Sequence, residues 1–195
     1  MPAQPPIILA STSPYRRALL ERLGLAFAVE SPGVSEEHAK GEAPSDRAVR
    51  LAAAKAQVVA DRYPNAVVIG SDQVAAADGA VLDKPGDHER ACAQLARLSG
   101  KSASFHTACS VVCQAAGLSD AHLDTTRATF RRLSREEIER YVARERPFDC
   151  AGSFKSEGLG IALLARIESE DPTGLIGLPL IWLAGALRRA GYRLP

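Results

Sequence analysis

The spacing of apolar and polar positions changes several times along the chain, and each change marks an element. Pro6 to Ser11 reads as a buried strand, after which Ser13 and Pro14 supply an N-cap and a proline suited to the first helical position. That helix runs to Leu23, with Gly24 as its stop, and Ala26 to Glu30 forms a short second strand. The polar stretch SPGVSEEHAKGEAPSD is a loop. Beyond it, Val49, Ala52, Ala53, Ala56 and Val59 recur with helical spacing, predicting a long helix capped by Ser45 or Asp46 that ends near Tyr63. The apolar run from Ala66 to Ser71 predicts another buried strand, with Asp72 and Gln73 delivered to its tip.

Asp78-Gly79 suits a tight hairpin turn, and a helix from Asp87 to Leu98 ends at Ser99-Gly100. Two longer β segments, Ser102 to Gln114 and His122 to Leu133, follow in direct succession and are expected to pair antiparallel. Ser134 with Glu137 forms a capping-box pattern that opens a helix to about Arg144. Gly160 to Ile167 is a further strand, and a last helix runs from about Pro179 to Ala190. Early alternation of strands and helices, then consecutive strands, predicts an α/β fold with a mixed sheet.

Composition narrows the function classes. The 195 residues fit one domain spanning 1–195, and 24 basic against 23 acidic residues leave a formal net charge of +1, which argues against a general nucleic-acid binder. The N-terminal stretch lacks a basic signal-peptide region, and no apolar run approaches the roughly 18 residues of a membrane span. A cytoplasmic protein without a membrane partner is expected. Cys92, Cys109, Cys113 and Cys150 lack paired Cys-x-x-Cys spacing and read as buried free thiols. The glycine-rich patches match neither the Walker pattern nor a G-x-G-x-x-G turn.

Four stretches carry candidate chemistry. ASTSPYRR joins a strand to a helix N-terminus, where free backbone N–H groups and the helix dipole suit phosphate. Arg16 and Arg17 are electrostatically misplaced in a first helical turn unless an anion binds there. IGSDQV and LDKPG would meet at one end of the sheet if Asp78-Gly79 turns, bringing Lys84 to Asp72, a candidate base or metal ligand. CAGSFKSEGLG combines glycines that permit close backbone approach with Ser153, Lys155, Ser156 and Glu157. DPTGLIGLPL is mostly architecture, with Asp171 a weaker candidate. His106 and Trp182 read as structural residues.

Taken in order, LASTSPYRR, GSDQV, DKPG, CAGSFKSEGLG and DPTGLIGLPLI resemble the Maf family of nucleotide pyrophosphatases over nearly the whole chain. Gln73 and GSFKSEG are similar to the YceF-like branch of that family, associated with 7-methyl-GTP. The resemblance implies an elongated, twisted mixed sheet flanked by helices, like the inosine-triphosphate pyrophosphatases, with a cleft between two lobes. It implies hydrolysis of the nucleotide to its monophosphate and pyrophosphate with a divalent cation, Mg²⁺ or Mn²⁺. Asp72 is then the proton acceptor, Tyr15, Gln73 and Glu157 select the base, and Ser11, Arg16, Lys55, Lys84 and Lys155 surround the triphosphate. Glu36 and Asp72 are the metal candidates, although Ser35 stands where the family often has an acid. A small-molecule nucleotide is the expected partner, and a homodimer is left open. The alternatives are a nucleotide- or nucleic-acid-binding regulator of cell division that does not hydrolyse, and a pyrophosphatase of broader specificity.

Overall fold

The computed structural model describes residues 4–195. Its first half contains β1 (Ile7–Ala10), α1 (Pro14–Glu21), β2 (Phe27–Glu30), α2 (Pro44–Arg62) and β3 (Val67–Ala77). β4 (Ala80–Leu82), α3 (His88–Leu98), β5 (Ser102–Cys113), β6 (Leu118–Phe130), α4 (Arg135–Glu145), β7 (Leu164–Glu168) and α5 (Leu180–Arg189) follow. The strands form one seven-stranded sheet in the order β2-β1-β3-β5-β6-β7, with β4 paired to β3 off that path. β1 runs parallel to β2 and β3, and the remaining pairs are antiparallel, so the sheet is mixed as the strand succession predicts. Among the described residues, no helix is long and apolar enough to cross a membrane.

Local signals set several boundaries. The Ser13 hydroxyl accepts from the Arg16 N–H and caps α1, while Ser134 and Glu137 complete their reciprocal capping box on α4. α2 starts differently from expectation: Ala43 is its N-cap and Pro44 its first residue, and Asp46 lies inside the first turn. Its buried stripe is Ala48, Leu51, Ala52, Lys55, Ala56, Val59 and Ala60, leaving Val49 and Ala53 exposed. Alanine tolerates either face, so the alanine-rich run could not settle the phase of the helix. β6 begins at Leu118 because a short 3-10 turn and Gly117, at φ 62°, close the hairpin tightly. Residues Leu159–Leu163 are 3-10 helix, so the strand expected from Gly160 starts only at Leu164.

The largest departure concerns β3, which continues through Asp72 and Gln73 to Ala77. β1 pairs with it only as far as Ala10 opposite Gly70, and β4 joins the same strand only from Ala75 opposite Leu82. From Ser71 to Val74, β3 therefore keeps β5 along one edge and has no strand on the other. Asp72 sits in this opening rather than at a strand tip. Separate apolar clusters hold the two ends. One joins β1, α1 and α5 to the start of β3, through Leu9, Leu20, Ile69 and Leu183. The other joins α3 and α4 to the far ends of β5 and β6, through Leu95, Phe105, Phe130 and Val142.

α2 crosses the sheet at the opening, and Gly70 permits that approach. A Cβ there would clash with the Ala52 carbonyl oxygen and lie 2.6 Å from the Ala56 nitrogen, both helix backbone atoms that cannot swing aside. Gly70→Ala is expected to cost about 1 to 3 kcal/mol through overpacking. It should appear as a lower urea midpoint with an unchanged denaturant slope.

Candidate active site

The opening in the sheet is the floor of a cleft. One part, of about 310 Å³, runs from the β1–α1 turn to the loop at Ser156-Glu157; an adjoining part, of about 300 Å³, reaches Asp72. Arg16, Glu36, Lys55, Gln73 and Lys84 line both parts. This size suits a small-molecule ligand.

Lys55 occupies a core position of α2, and its side chain is only 7% exposed. Its ammonium donates to Asp72 Oδ1 at 2.6 Å and to Glu36 Oε1 at 2.5 Å. The Asp72 side chain is 9% exposed, whereas that of Glu36 is 54% exposed, so the pair is buried and the third member is wet. Among the described residues, Asp72 Oδ2 receives no hydrogen bond, leaving that oxygen for water or a cation. Burial opposes ionisation of Glu36, but Lys55, Lys84 and Arg16 together hold its carboxyl below the usual range.

Three further cations converge. Arg16 donates through Nε to the Gly177 carbonyl at 3.0 Å and through Nη1 to Ser11 Oγ at 3.5 Å. Burial pushes its guanidinium down, countered by the charges of Asp72 and Glu36. Lys84 is exposed and makes no ion pair among the described residues. Arg47 donates to the Glu36 carbonyl at 2.9 Å, and its buried Nε has no partner.

Tyr15 closes the other end of the cleft. Its hydroxyl donates to Asp149 Oδ2 at 3.0 Å, and burial, then Cys150 and Asp149, push the phenol up, so it stays neutral. Burial followed by Asp149 likewise raises the Cys150 thiol to about 12. Ser156 and exposed Glu157 complete this end.

Strand alternation places Asp72 and Gln73 on opposite faces of β3. Asp72 meets α2, whereas the Gln73 amide donates to Thr107 Oγ1 and to the carbonyls of Gly174 and Leu175 at 2.9 to 3.1 Å. The Thr107 hydroxyl itself donates to the Gly174 carbonyl at 2.8 Å, so it must accept from Gln73. Gln73 therefore holds the loop after β7 in place, and its own carbonyl oxygen makes no hydrogen bond among the described residues.

Of the residues expected at the site, Ser11, Tyr15, Arg16, Glu36, Lys55, Gln73, Lys84 and Glu157 line the cleft together, and Asp72 lines its adjoining part. Lys155 does not join the other cations. Its ammonium lies 5.7 Å from the Tyr15 ring, near the Glu145 carbonyl at 3.4 Å and Asp149 at 3.8 Å. Asp171 is architecture: its carboxylate accepts from Thr173 and from the Ile181 N–H, serving α5, whose Pro179 cap offers no side-chain bond. His106 bonds Thr125 across β5 and β6, and Trp182 stacks on His122 with centroids 5.3 Å apart. Arg47 and Asp149 carried no motif signal. Arg47 does fall two helical turns before Lys55 on the same side of α2, the one available clue.

A family model described as Maf-like protein matches residues 6–190. A protein of Xanthomonas axonopodis pv. citri named 7-methyl-GTP pyrophosphatase is 56% identical over 191 residues, covering 98% of this chain and 100% of that protein. Proteins of the same name from Polaromonas sp. (strain JS666) and Albidiferax ferrireducens are 53% and 52% identical over 193 residues. These cover 99% of this chain and 88% and 97% of theirs. Among solved structures, the Staphylococcus aureus Ham1 protein aligns at 15% identity and TM-score 0.46 over 64% of this chain and 71% of its own.

Lys55→Met removes the partner of a buried carboxylate and is expected to cost about 3 to 5 kcal/mol in urea unfolding at neutral pH. Glu36 supplies a pH test. Its folded pKa is depressed, so its contribution is full above the unfolded carboxylate value and is lost as pH falls through the lower folded value. Glu36→Gln should therefore reduce the fall in stability across that acid window, measured by thermal melts against pH.

Proposed function

The chain belongs to the Maf family, and on that premise we propose that it is a nucleoside triphosphate pyrophosphatase hydrolysing 7-methyl-GTP to 7-methyl-GMP and pyrophosphate. The observation that carries this reading is the convergence of Lys55, Lys84, Arg16 and Arg47 on Asp72 at one end of a cleft whose other end holds the Tyr15 ring. A triphosphate needs fixed cations, and a base needs a flat face.

Asp72 accepts a proton from the attacking water through Oδ2, the oxygen that Lys55 leaves unoccupied. Lys55 is the positioning residue, since its ammonium fixes the carboxylate in place. Lys84 and Arg16 neutralise phosphate charge that grows on the leaving pyrophosphate. Glu36 and Asp72 suit a Mg²⁺ or Mn²⁺ ion, because each carboxylate turns one oxygen to the same ammonium and retains another, and hard oxygen donors match these ions. Ser35 contributes no carboxylate and instead bonds the Glu37 N–H at 3.4 Å, so the set has two acids rather than three. When bound, such a cation supplies Lewis-acid neutralisation of the phosphates.

For specificity, N7-methylation gives guanine a delocalised positive charge that favours an electron-rich ring. Lys155 already lies over the Tyr15 ring, so the base takes the remaining side, and the Asp149 carboxylate at the phenol offsets the two cations. Glu157 accepts from N1–H and the exocyclic amine. The free Gln73 carbonyl, on a residue that lines the same cleft, is a second acceptor.

Asp72→Asn is expected to lower kcat for pyrophosphate release about 10²- to 10⁴-fold with an unchanged fold. Near wild-type turnover would remove Asp72 from the chemistry. Tyr15→Ala should reduce the kcat/KM preference for 7-methyl-GTP over GTP, and an unchanged ratio would defeat the stacking proposal. A pyrophosphate-release screen over 7-methyl-GTP, GTP, dTTP, UTP, CTP and ITP tests the substrate directly. Activity confined to pyrimidine nucleotides would overturn it.

A further inference from the structure

A second cluster of ligand-type side chains lies between α3 and α4, in a groove that shares no lining residue with the cleft. His88 and Cys92 stand one turn apart on α3, so both side chains project toward the same neighbour. That neighbour is α4, whose Glu139 faces them while Ile138 and Val142 join the apolar cluster that α3 also enters. The Cys92 thiol lies 3.7 Å from His88 Nδ1, and His88 Nε2 lies 3.4 Å from Glu139 Oε2. With one ligand atom taken from each residue, all three lie within 4.8 Å of one another.

We propose that His88, Cys92 and Glu139 form a binding site for a single Zn²⁺ ion, bridging α3 and α4. An exposed histidine–glutamate ion pair would need only two of these groups. The thiol is what redirects the chemistry, because thiolate and imidazole select zinc over magnesium or manganese. Zinc bonds of about 2.0 to 2.3 Å in a tetrahedron space the ligand atoms by about 3.3 to 3.7 Å. Only one imidazole nitrogen can ligate a single ion, so one of the two close separations already lies at that spacing, and modest rotation of half-exposed side chains draws in the remaining atom from within 4.8 Å. A neutral imidazole, a thiolate and a carboxylate balance the ion's two charges. Binding transfers one proton from the Cys92 thiol to solvent, and water fills the fourth position. Arg135 and Glu89 are the other charged groups lining the groove, and Ala96, Leu133 and Ile138 make its apolar wall.

The test uses the chelator-treated full chain in excess Mg²⁺, which occupies hard-oxygen sites and leaves thiolate sites free. Titration with Co²⁺ is expected to give a thiolate-to-metal charge-transfer band saturating at one equivalent, and Zn²⁺ should displace it. Cys92→Ser should abolish the band and weaken Zn²⁺ binding about 100-fold or more, since loss even of an outer-shell partner costs up to that much. Glu139→Gln, at a half-exposed position, should keep the band with reduced affinity, and Asp72→Asn should keep it unchanged. Absence of the band in the parent chain would overturn the proposal. So would its survival in Cys92→Ser, which would move the ligand to another thiol, or an unchanged affinity in Glu139→Gln.

Discussion

The buried contact between Lys55 and Asp72 is the interaction on which the site depends. An ammonium and a carboxylate removed from water each lose several kcal/mol of solvation, and they recover it only through close mutual placement. α2 must therefore cross β3 closely, which Gly70 allows by presenting no Cβ to the Ala52 and Ala56 backbone. β3 must also be free of a neighbouring strand at Asp72, which the short β1 and late β4 arrange. Glu36, in the loop before α2, then shares the ammonium from the solvent side.

The opposite face of the opening is held by a different set of contacts. Ser71 donates to the Gly177 carbonyl, Gln73 and Thr107 to the Gly174 carbonyl, and Arg16 to the Gly177 carbonyl. These side chains satisfy the backbone of a loop that a regular strand would have satisfied with its own ladder. Gln73 thus carries two duties, since the amide that anchors the loop leaves only its carbonyl oxygen for a ligand. Asp171 secures the same loop from behind by serving the start of α5. Burial, with Asp171 as a further cause, raises the carboxyl of neighbouring Asp124, and Gly174 leaves room for that side chain.

Features that depend on a few adjacent residues were readable from the chain. The Ser13-Pro14 start, the Ser134–Glu137 capping box and the Asp78-Gly79 turn all express short-range chemistry. So do the site stretches, whose motifs place Tyr15, Arg16, Asp72, Lys84 and Glu157 along one cleft. Burial of the free thiols, by contrast, holds for Cys109 and Cys113 on β5 and not for the partly exposed Cys92 and Cys150, because burial depends on distant packing. The phase of α2 was not readable, because alanines can face either way, and the lysine among them was identifiable only by family likeness.

Sequence by itself determined the order of elements, the mixed character of the sheet and most of the polar residues that the cleft collects. Tertiary structure alone decided that β3 runs on past Asp72, because a strand's length depends on partners distant in sequence: β5 continues beside it where β1 has ended. It decided that Lys155 turns to Tyr15 and away from the other cations, and it brought in Arg47 and Asp149, which no motif marked. It also joined His88 and Cys92 to Glu139, from a helix far along the chain. Local pattern encodes what a residue prefers, whereas only packing sets which charges share a low-dielectric space and must answer one another.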